Sequence, residues 1–335
     1  MTAAPRFEDS PVPVIDLARF RAGGTVRAAL AAEVDAACRE IGFLVVTNHG
    51  VDSALIAEVD RIGRQFFALP EEVKRSCMSP PGTISRGYSA IGARALARTR
   101  GDTAAAGDLR ETFTMGRPDA DPADPHFASP EARMVFQPNL FPAALPAMQL
   151  VMEAYYAAMS DLAAELMRLF ACALKLNESF FDPLIDRHIT NCSLTNYPDQ
   201  AEEPAPGQLR AGAHTDFGTL TILRAEDKPG GLEVCTAGGH WLPVPVLPDS
   251  YVINIGDLMA RWTNDRWRST LHRVANPPRD VSGSTQRLSI IFFHQPNLDA
   301  DIRCLPSCEG DGARYAPTTS GAHLLEKMGQ SRAAA

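Results

Sequence analysis

The sequence predicts a mainly β protein with flanking helices, and three observations support this fold class. Short runs rich in β-branched and aromatic residues follow one another in the second half, separated by turns rich in Gly, Pro, Asn and Asp. A long helical pattern precedes them, and a strand–helix–strand–helix unit opens the chain. Many short strands of this kind are typical of a sandwich or barrel, of which the jelly roll is one form.

The opening unit follows from apolar spacing and capping residues. We expect a strand over residues 11–17, a helix over 26–41, a strand over 43–47 and a helix from 52 or 53 to 68. Gly42 ends the first helix, and Asp52 or Ser53 is a suitable N-cap for the second. Proline followed by two acidic residues at 70–72 predicts another short helix.

The middle and the end of the chain differ in character. Apolar residues show no sustained periodicity over 79–142, which predicts mostly loop. Over about 144–176 their spacing predicts a long scaffold helix. Candidate strands lie near residues 189–196, 217–223, 231–235, 251–255, 269–274 and 287–294. The last stretch, residues 311–335, is expected to fray.

We therefore expect four regions. They are an N-terminal α/β region over 1–118, a loop and scaffold helix over 119–186, a β core over 187–300, and a C-terminal segment over 301–335 with a frayed end.

Bulk composition excludes several classes of function. A formal charge of −8 and a pI near 5.5 give no general attraction for nucleic acid or an acidic membrane surface. No apolar run approaches the roughly 20 residues that span a bilayer, and the N-terminus lacks the apolar core of a signal peptide. The 7 cysteines are odd in number and scattered, which is typical of reduced thiols. These observations predict a cytoplasmic protein.

One stretch carries candidate chemistry. His214 and Asp216 lie two residues apart at the start of a predicted strand, where alternate residues share a face. His272, on a later predicted strand, supplies a third donor. Two histidines and one carboxylate, with other positions open, suit non-haem Fe(II). Alone, the His214 and Asp216 pair is a weak signal, because such residues more often make an ordinary hydrogen bond.

A candidate anion clamp follows downstream. Arg287 and Ser289 alternate on a strand and therefore share a face. A guanidinium binds a carboxylate through two parallel hydrogen bonds, and a serine hydroxyl can add a third, as the far end of a small dicarboxylate would require. The alternative is a structural ion pair beside an ordinary strand serine. The order of the three features along the chain favours the clamp.

With these motifs the chain resembles the Fe(II)/2-oxoglutarate-dependent dioxygenases of the isopenicillin N synthase-like superfamily, and the resemblance covers most of its length. In the first half it depends on the segments at residues 12–17, 42–51 and 108–113. In the second half it depends on the segments at residues 196–198, 212–223, 230–234, 252–257, 262–264, 269–274 and 287–289.

The resemblance implies a double-stranded β-helix (jelly roll, cupin-like) core, wrapped by the N-terminal unit and the long helix. It implies His214, Asp216 and His272 as iron ligands and catalytic residues. It further implies that Arg287 and Ser289 bind the distal carboxylate of 2-oxoglutarate, with the Tyr197 hydroxyl nearby. One departure concerns the finer arrangement of the same pocket, because Thr195 stands where plant relatives often carry Asn.

The implied activity is oxidation of a C–H bond of a small molecule by hydroxylation, desaturation or cyclisation. Fe(II), 2-oxoglutarate and O₂ would be used, with succinate and CO₂ as co-products. Two alternatives remain open, namely an oxidase like isopenicillin N synthase that needs no 2-oxoglutarate, and an inactive metal- or ligand-binding module. The expected partner is a small metabolite, such as a natural-product intermediate, and neither nucleic acid nor membrane. Segment 84–104 and the tail after Leu305 are candidate pocket walls.

Overall fold

The structure is a computed structural model, and it describes residues 12–80, 86–102, 104–200 and 202–333. The strands are β1 (Val14–Asp16), β2 (Phe43–Thr47), β3 (Gly87–Ser89), β4 (Glu111–Met115), β5 (Asn191–Tyr197), β6 (Ala211–His214), β7 (Leu220–Ala225), β8 (Leu232–Cys235), β9 (Trp241–Pro243), β10 (Tyr251–Ile255), β11 (His272–Val274), β12 (Arg287–His294), β13 (Asp301–Ile302) and β14 (Thr318–Thr319). The helices are α1 (Ala18–Ala22), α2 (Gly24–Glu40), α3 (Ser53–Phe67), α4 (Glu71–Arg75), α5 (Pro125–Ala128), α6 (Pro130–Val135), α7 (Ala147–Ala173), α8 (Asp182–Ile185), α9 (Asp257–Trp262) and α10 (Ser320–Ala333).

Two sheets form the centre of the molecule. The larger sheet has the order β1-β2-β10-β7-β12-β5-β4-β3, and the smaller has the order β6-β11-β8-β9. Strands β1 and β2 run parallel, while the other neighbours in both sheets are antiparallel. Strands from the N-terminal region and from the second half thus share one sheet.

The larger sheet is covered on both faces, which explains its nearly continuous burial. Along β12, Leu288, Ile290 and Phe292 belong to the main core, together with residues of α2, α3 and α7. The alternate residues Arg287 and Ser289 face the other way, as the two-residue period of a strand requires.

The two sheets face each other across a second apolar layer. Phe43, Val45 and Val252 of the larger sheet pack with Leu232 and Val234 of the smaller one. Two antiparallel sheets joined by such a layer form a sandwich of the jelly-roll kind. The predicted fold class, mainly β with flanking helices, is therefore confirmed.

Helix α7 is the predicted scaffold helix. Its 27 residues extend over about 40 Å, and thirteen of them are buried beneath the larger sheet or against α2 and α3. The predicted N-cap of α3 is also confirmed, because the Asp52 side chain accepts a hydrogen bond from the Ala54 amide at 2.8 Å.

The prediction of mostly loop over 79–142 is wrong in part, since β3, β4, α5 and α6 lie there. Strand β4 shows why. All five of its residues are buried although three are polar, so the usual alternation is absent. Glu111 is satisfied inside the protein by Lys74 and by Asn196, both at 2.8 Å.

The C-terminal segment also differs from its prediction. Within residues 311–335, which are expected to fray, residues 320–333 form α10, whereas 334 and 335 lie outside the described residues. Leu324 holds the helix in place by packing with Val135 and Ile189. None of the helices in the described ranges combines the length and the apolar character needed to cross a bilayer.

Candidate active site

His214 and Asp216 do not share a strand, which corrects the prediction made from their spacing. Strand β6 ends at His214, and Asp216 lies in the connection to β7, which begins at Leu220 instead of residue 217. The chain crosses from the smaller to the larger sheet here. Gly218 approaches the His294 carbonyl so closely that a Cβ would lie 2.3 Å from that oxygen.

Three potential metal ligands nevertheless converge at this crossing. His214 and His272 are direct partners in the antiparallel pair β6–β11, and their ring centroids lie 4.3 Å apart. Asp216 Oδ1 lies 3.9 Å from His214 Nε2, and Asp216 Oδ2 lies 3.8 Å from His272 Nε2. Ligand atoms of the three residues lie within 4.8 Å of one another, so one ion could contact them all.

Hydrogen bonds orient all three side chains. The Nδ1 atoms of His214 and His272 lie 2.8 Å and 3.0 Å from the carbonyl oxygens of Gly212 and Thr270. Because a carbonyl oxygen only accepts, each Nδ1 must carry the proton, which leaves the Nε2 lone pairs for a metal. The Asp216 carboxylate is held by hydrogen bonds from other side chains.

The Asp216 carboxylate is anchored by the larger sheet. Its Oδ2 accepts hydrogen bonds from Thr221 Oγ1 at 2.6 Å and from Asn254 Nδ2 at 2.8 Å. Thr221 belongs to β7 and Asn254 to β10. The two imidazoles therefore come from the smaller sheet, while the carboxylate is fixed by the larger one.

The electrostatics favour the protonation states that a metal needs. Burial, reinforced by repulsion from His272 and Arg110, lowers the pKa of His214 to about 3, so its imidazole is neutral at pH 7. Burial opposes ionisation of Asp216, but the nearby imidazoles and the hydrogen bonds from Asn254 and Thr221 together outweigh it, so the pKa of the carboxyl falls below its usual value. A neutral imidazole and a carboxylate are the ligand forms.

Arg287 and Ser289 lie in the same cavity as these three residues. Arg287 is 1% exposed, and within the described part of the chain its Nε and Nη1 atoms have no hydrogen-bond partner. Its Cζ lies 5.2 Å from the Tyr197 ring centre, and burial lowers its pKa. A buried guanidinium with two unpaired donors is unfavourable unless an anion binds it, so these atoms fit a carboxylate ligand.

Sequence reasoning assigned no role to several polar residues around this cavity. Thr195 pairs in register with Ser289, and its buried Oγ1 has no partner among the described residues. Arg210 is fully buried, donates to the Thr285 carbonyl at 2.6 Å, and lies 5.9 Å from the Tyr197 ring. Asn254, which holds Asp216, was also missed. Its amide side chain inside the otherwise apolar β10 is the signal that could have identified it.

The cavity has a volume of about 450 Å³. Both predicted walls contribute to it, with Arg94 and Arg98 from segment 84–104 and Leu324 and Met328 from the C-terminal tail. The tail does so as helix α10, which packs against a short 3-10 helix at Leu96–Arg100. The site is therefore enclosed between the two sheets and these two helices.

Comparisons with known proteins agree with this geometry. A model described as the N-terminal region of non-haem dioxygenase in morphine synthesis matches residues 12–144, and the 2OG-Fe(II) oxygenase superfamily model matches residues 189–296. A 2-oxoglutarate-Fe(II) type oxidoreductase from Emericella nidulans is 33% identical over 315 residues, covering 92% of this chain and 86% of the relative. Validamycin A dioxygenase from Streptomyces hygroscopicus subsp. limoneus is 33% identical over 323 residues, covering 94% and 85%.

Solved structures of similar proteins also match this chain over most of its length. A full-length Neurospora crassa protein, crystallised in complex with alpha-KG (2-oxoglutarate) and thymine, superimposes with a TM-score of 0.82 at 29% identity, covering 95% of this chain and 96% of that protein. The rice dioxygenase for auxin oxidation gives a TM-score of 0.72 at 28% identity, covering 95% of each chain. These relatives favour 2-oxoglutarate dependence over the oxidase and the inactive module. With such similarity along nearly its whole length, the chain belongs to the Fe(II)- and 2-oxoglutarate-dependent oxygenases, which makes it an enzyme that uses Fe(II), 2-oxoglutarate and O₂.

Proposed function

We propose that His214, Asp216 and His272 hold the catalytic Fe(II), and that Arg287, Ser289 and Tyr197 hold the distal carboxylate of 2-oxoglutarate. One observation carries the proposal. Two imidazole Nε2 atoms and a carboxylate converge within 4.8 Å, and a buried guanidinium with two unpaired donors lines the same cavity.

Each residue has a defined part in this proposal. Two neutral imidazoles and one carboxylate leave the ion with a net positive charge, which favours an anionic co-substrate. Arg287 supplies a second positive charge deep in the cavity, so a dicarboxylate is held at both ends. When bound, the iron with 2-oxoglutarate and O₂ supplies the oxidation of a C–H bond, with succinate and CO₂ as co-products. The protein's part is to orient the substrate and exclude competing reactions.

The substrate is a small molecule in this proposal. Support comes from the enclosed cavity of about 450 Å³ and from relatives named for validamycin A and proline. The net charge of −8 argues against nucleic acid or an acidic membrane surface as a partner. The cytoplasmic location stays a prediction.

The test begins with anaerobic reconstitution with Fe(II) and 2-oxoglutarate. We expect the weak visible charge-transfer band of the chelate, then succinate once O₂ is admitted. His214→Ala should abolish both, because it removes one of three ligands, whereas the exposed His240→Ala should preserve them. A band of full intensity in His214→Ala would show that the metal site lies elsewhere.

Arg287→Ala addresses the co-substrate in the same experiment. Loss of two charge-assisted hydrogen bonds should raise the 2-oxoglutarate concentration for half-maximal band intensity by about tenfold or more. Arg133→Ala removes an exposed arginine and serves as the matched control. An unchanged 2-oxoglutarate requirement in Arg287→Ala would remove the role assigned to this residue.

A further inference from the structure

Besides Arg94, Arg98 and Arg287, Arg110 lines the cavity, and a buried acid fixes its position. Its Nε lies 3.4 Å from Oδ2 of Asp108, which is 3% exposed. Asp108 Oδ1 accepts from the Gly212 amide at 3.0 Å, and its Oδ2 accepts from the Leu96 amide at 3.2 Å. Asp108 thus ties Arg110 to β6, two residues before His214.

The sheet register separates Arg110 from Arg287. Arg287 pairs with Tyr197 across β12 and β5, and Glu111 pairs with Asn196 across β4 and β5. Arg110 therefore continues the row of Arg287 and Tyr197, one strand beyond Tyr197. With neighbouring strands about 4.8 Å apart, the backbones at Arg110 and Arg287 are roughly 10 Å apart. Arg110 is placed to bind a second ligand.

The residues that line the cavity carry an excess of positive charge. Among the described lining residues, the cations are Arg94, Arg98, Arg110 and Arg287, and Asp216 is the carboxylate. Asp216 is the proposed iron ligand, and Arg287 is the proposed partner of 2-oxoglutarate. The Nε of Arg110 faces Asp108, and a guanidinium carries two further terminal nitrogens that can donate to a ligand. A planar fork of this kind matches a carboxylate.

Part of the remaining wall, on the side of α10, is apolar. Phe217 follows the proposed ligand Asp216, and Leu324 and Met328 of α10 line the cavity beside it. Leu96 contributes from the 3-10 helix that α10 covers. A ligand that filled this volume would therefore need an apolar body as well as an anionic end.

We propose that the organic substrate is a small carboxylic acid with an apolar body, and that Arg110 binds its carboxylate. The inference rests on the proposed function, since it assumes that Arg287 is occupied by 2-oxoglutarate. It assigns Arg110 to substrate specificity and Asp108 to the positioning of Arg110.

The test measures binding by calorimetry without O₂, using full-length enzyme with Fe(II) and saturating 2-oxoglutarate. The probes are benzoate, phenylacetate, 3-phenylpropionate and hexanoate, each compared with its own primary amide. We expect at least one acid to bind about tenfold or more tightly than its amide, as an added charge-assisted hydrogen bond requires. If no acid binds, or if the amides bind equally well, the proposal is wrong.

Variants assign the preference to one residue. Arg110→Gln should abolish the acid-over-amide preference, and Arg110→Lys, which keeps the charge without the fork, should retain part of it. The surface control Arg133→Gln should keep all of it. A full preference in Arg110→Gln, or a loss of 2-oxoglutarate affinity instead, would overturn the assignment. The visible 2-oxoglutarate band in each sample verifies folding, and its absence in the wild type would instead contradict the proposed function.

Discussion

Thr195 lines the cavity beside the proposed 2-oxoglutarate clamp. It is 1% exposed and faces Ser289 across β5 and β12, yet its Oγ1 has no partner among the described residues. Leaving a buried hydroxyl unsatisfied costs about 1–3 kcal/mol. We infer that this hydroxyl, beside Ser289 and Arg287, recovers the free energy when a carboxylate binds in the cavity.

Replacing the Thr195 hydroxyl should weaken 2-oxoglutarate binding without lowering the stability of the ligand-free protein. We expect Thr195→Val to leave the free energy of unfolding of the ligand-free protein unchanged or raised, because an unsatisfied group disappears. The same variant should weaken 2-oxoglutarate binding by about fivefold, the equivalent of one hydrogen bond. Denaturant unfolding and titration of the visible band measure the two quantities.

The matched control is Thr114→Val. Thr114 is also buried and lines the cavity, but its Oγ1 lies 2.8 Å from Ser193 Oγ and so has a partner. This variant should lose stability and keep its 2-oxoglutarate affinity. Equal affinity in wild type and Thr195→Val would mean that the Thr195 hydroxyl does not contact the co-substrate.

At the scale of elements, the turn between α2 and β2 fixes how the N-terminal unit joins the larger sheet. Gly42 has φ +66°, and a Cβ there would lie 2.2 Å from the Arg268 carbonyl oxygen. Its own carbonyl accepts a hydrogen bond from the Ile255 amide at 2.9 Å. The turn therefore requires glycine for both backbone conformation and close approach.

The two contributions can be separated with a second glycine. Gly24 has φ +57° with nothing within 4 Å of its Cβ position, so Gly24→Ala should cost about 1–2 kcal/mol of unfolding free energy from conformation alone. Gly42→Ala should cost clearly more, because backbone must also move. Denaturant unfolding of both variants gives the difference, and equal losses would show that the carbonyl contact is harmless.

Elements with strong periodicity were predictable, and elements with buried polar residues were not. Helices α3 and α7 and strands β10 and β12 follow from apolar spacing, capping and β-rich composition. Strand β4 was missed because Glu111 and its threonines are satisfied only by residues distant in sequence. Likewise, the three candidate ligands follow from residue type and resemblance, whereas Thr195 and Arg110 acquire their positions from register between strands.

At the scale of the whole molecule, the candidate metal site joins the two sheets. His214 and His272 belong to the smaller sheet, and Asp216 is held by Thr221 and Asn254 of the larger one. An ion bound by all three residues contacts only the folded arrangement. Its binding free energy therefore adds to the stability of the fold.

Metal removal should lower the melting temperature accordingly. A ligand at 100 times its Kd adds about 2.7 kcal/mol, which for a chain of 335 residues corresponds to a rise of about 4 °C. We expect this shift when anaerobic Fe(II) with 2-oxoglutarate is added to chelator-treated enzyme, measured by calorimetry. His214→Ala should show no such rise, and an equal rise in that variant would contradict the ligand assignment.

Because the candidate ligands are divided between two sheets, iron affinity should depend on how the two sheets pack against each other. The His272 backbone pairs with Val234, and Val234 packs against Val252 of the opposite sheet in the apolar layer. A bulkier or smaller side chain in that layer alters the gap between the sheets and so the span that the ion must bridge. If the three candidate ligands hold the iron, residues that never contact the metal thereby influence its affinity, so the core and the catalytic centre are constrained together.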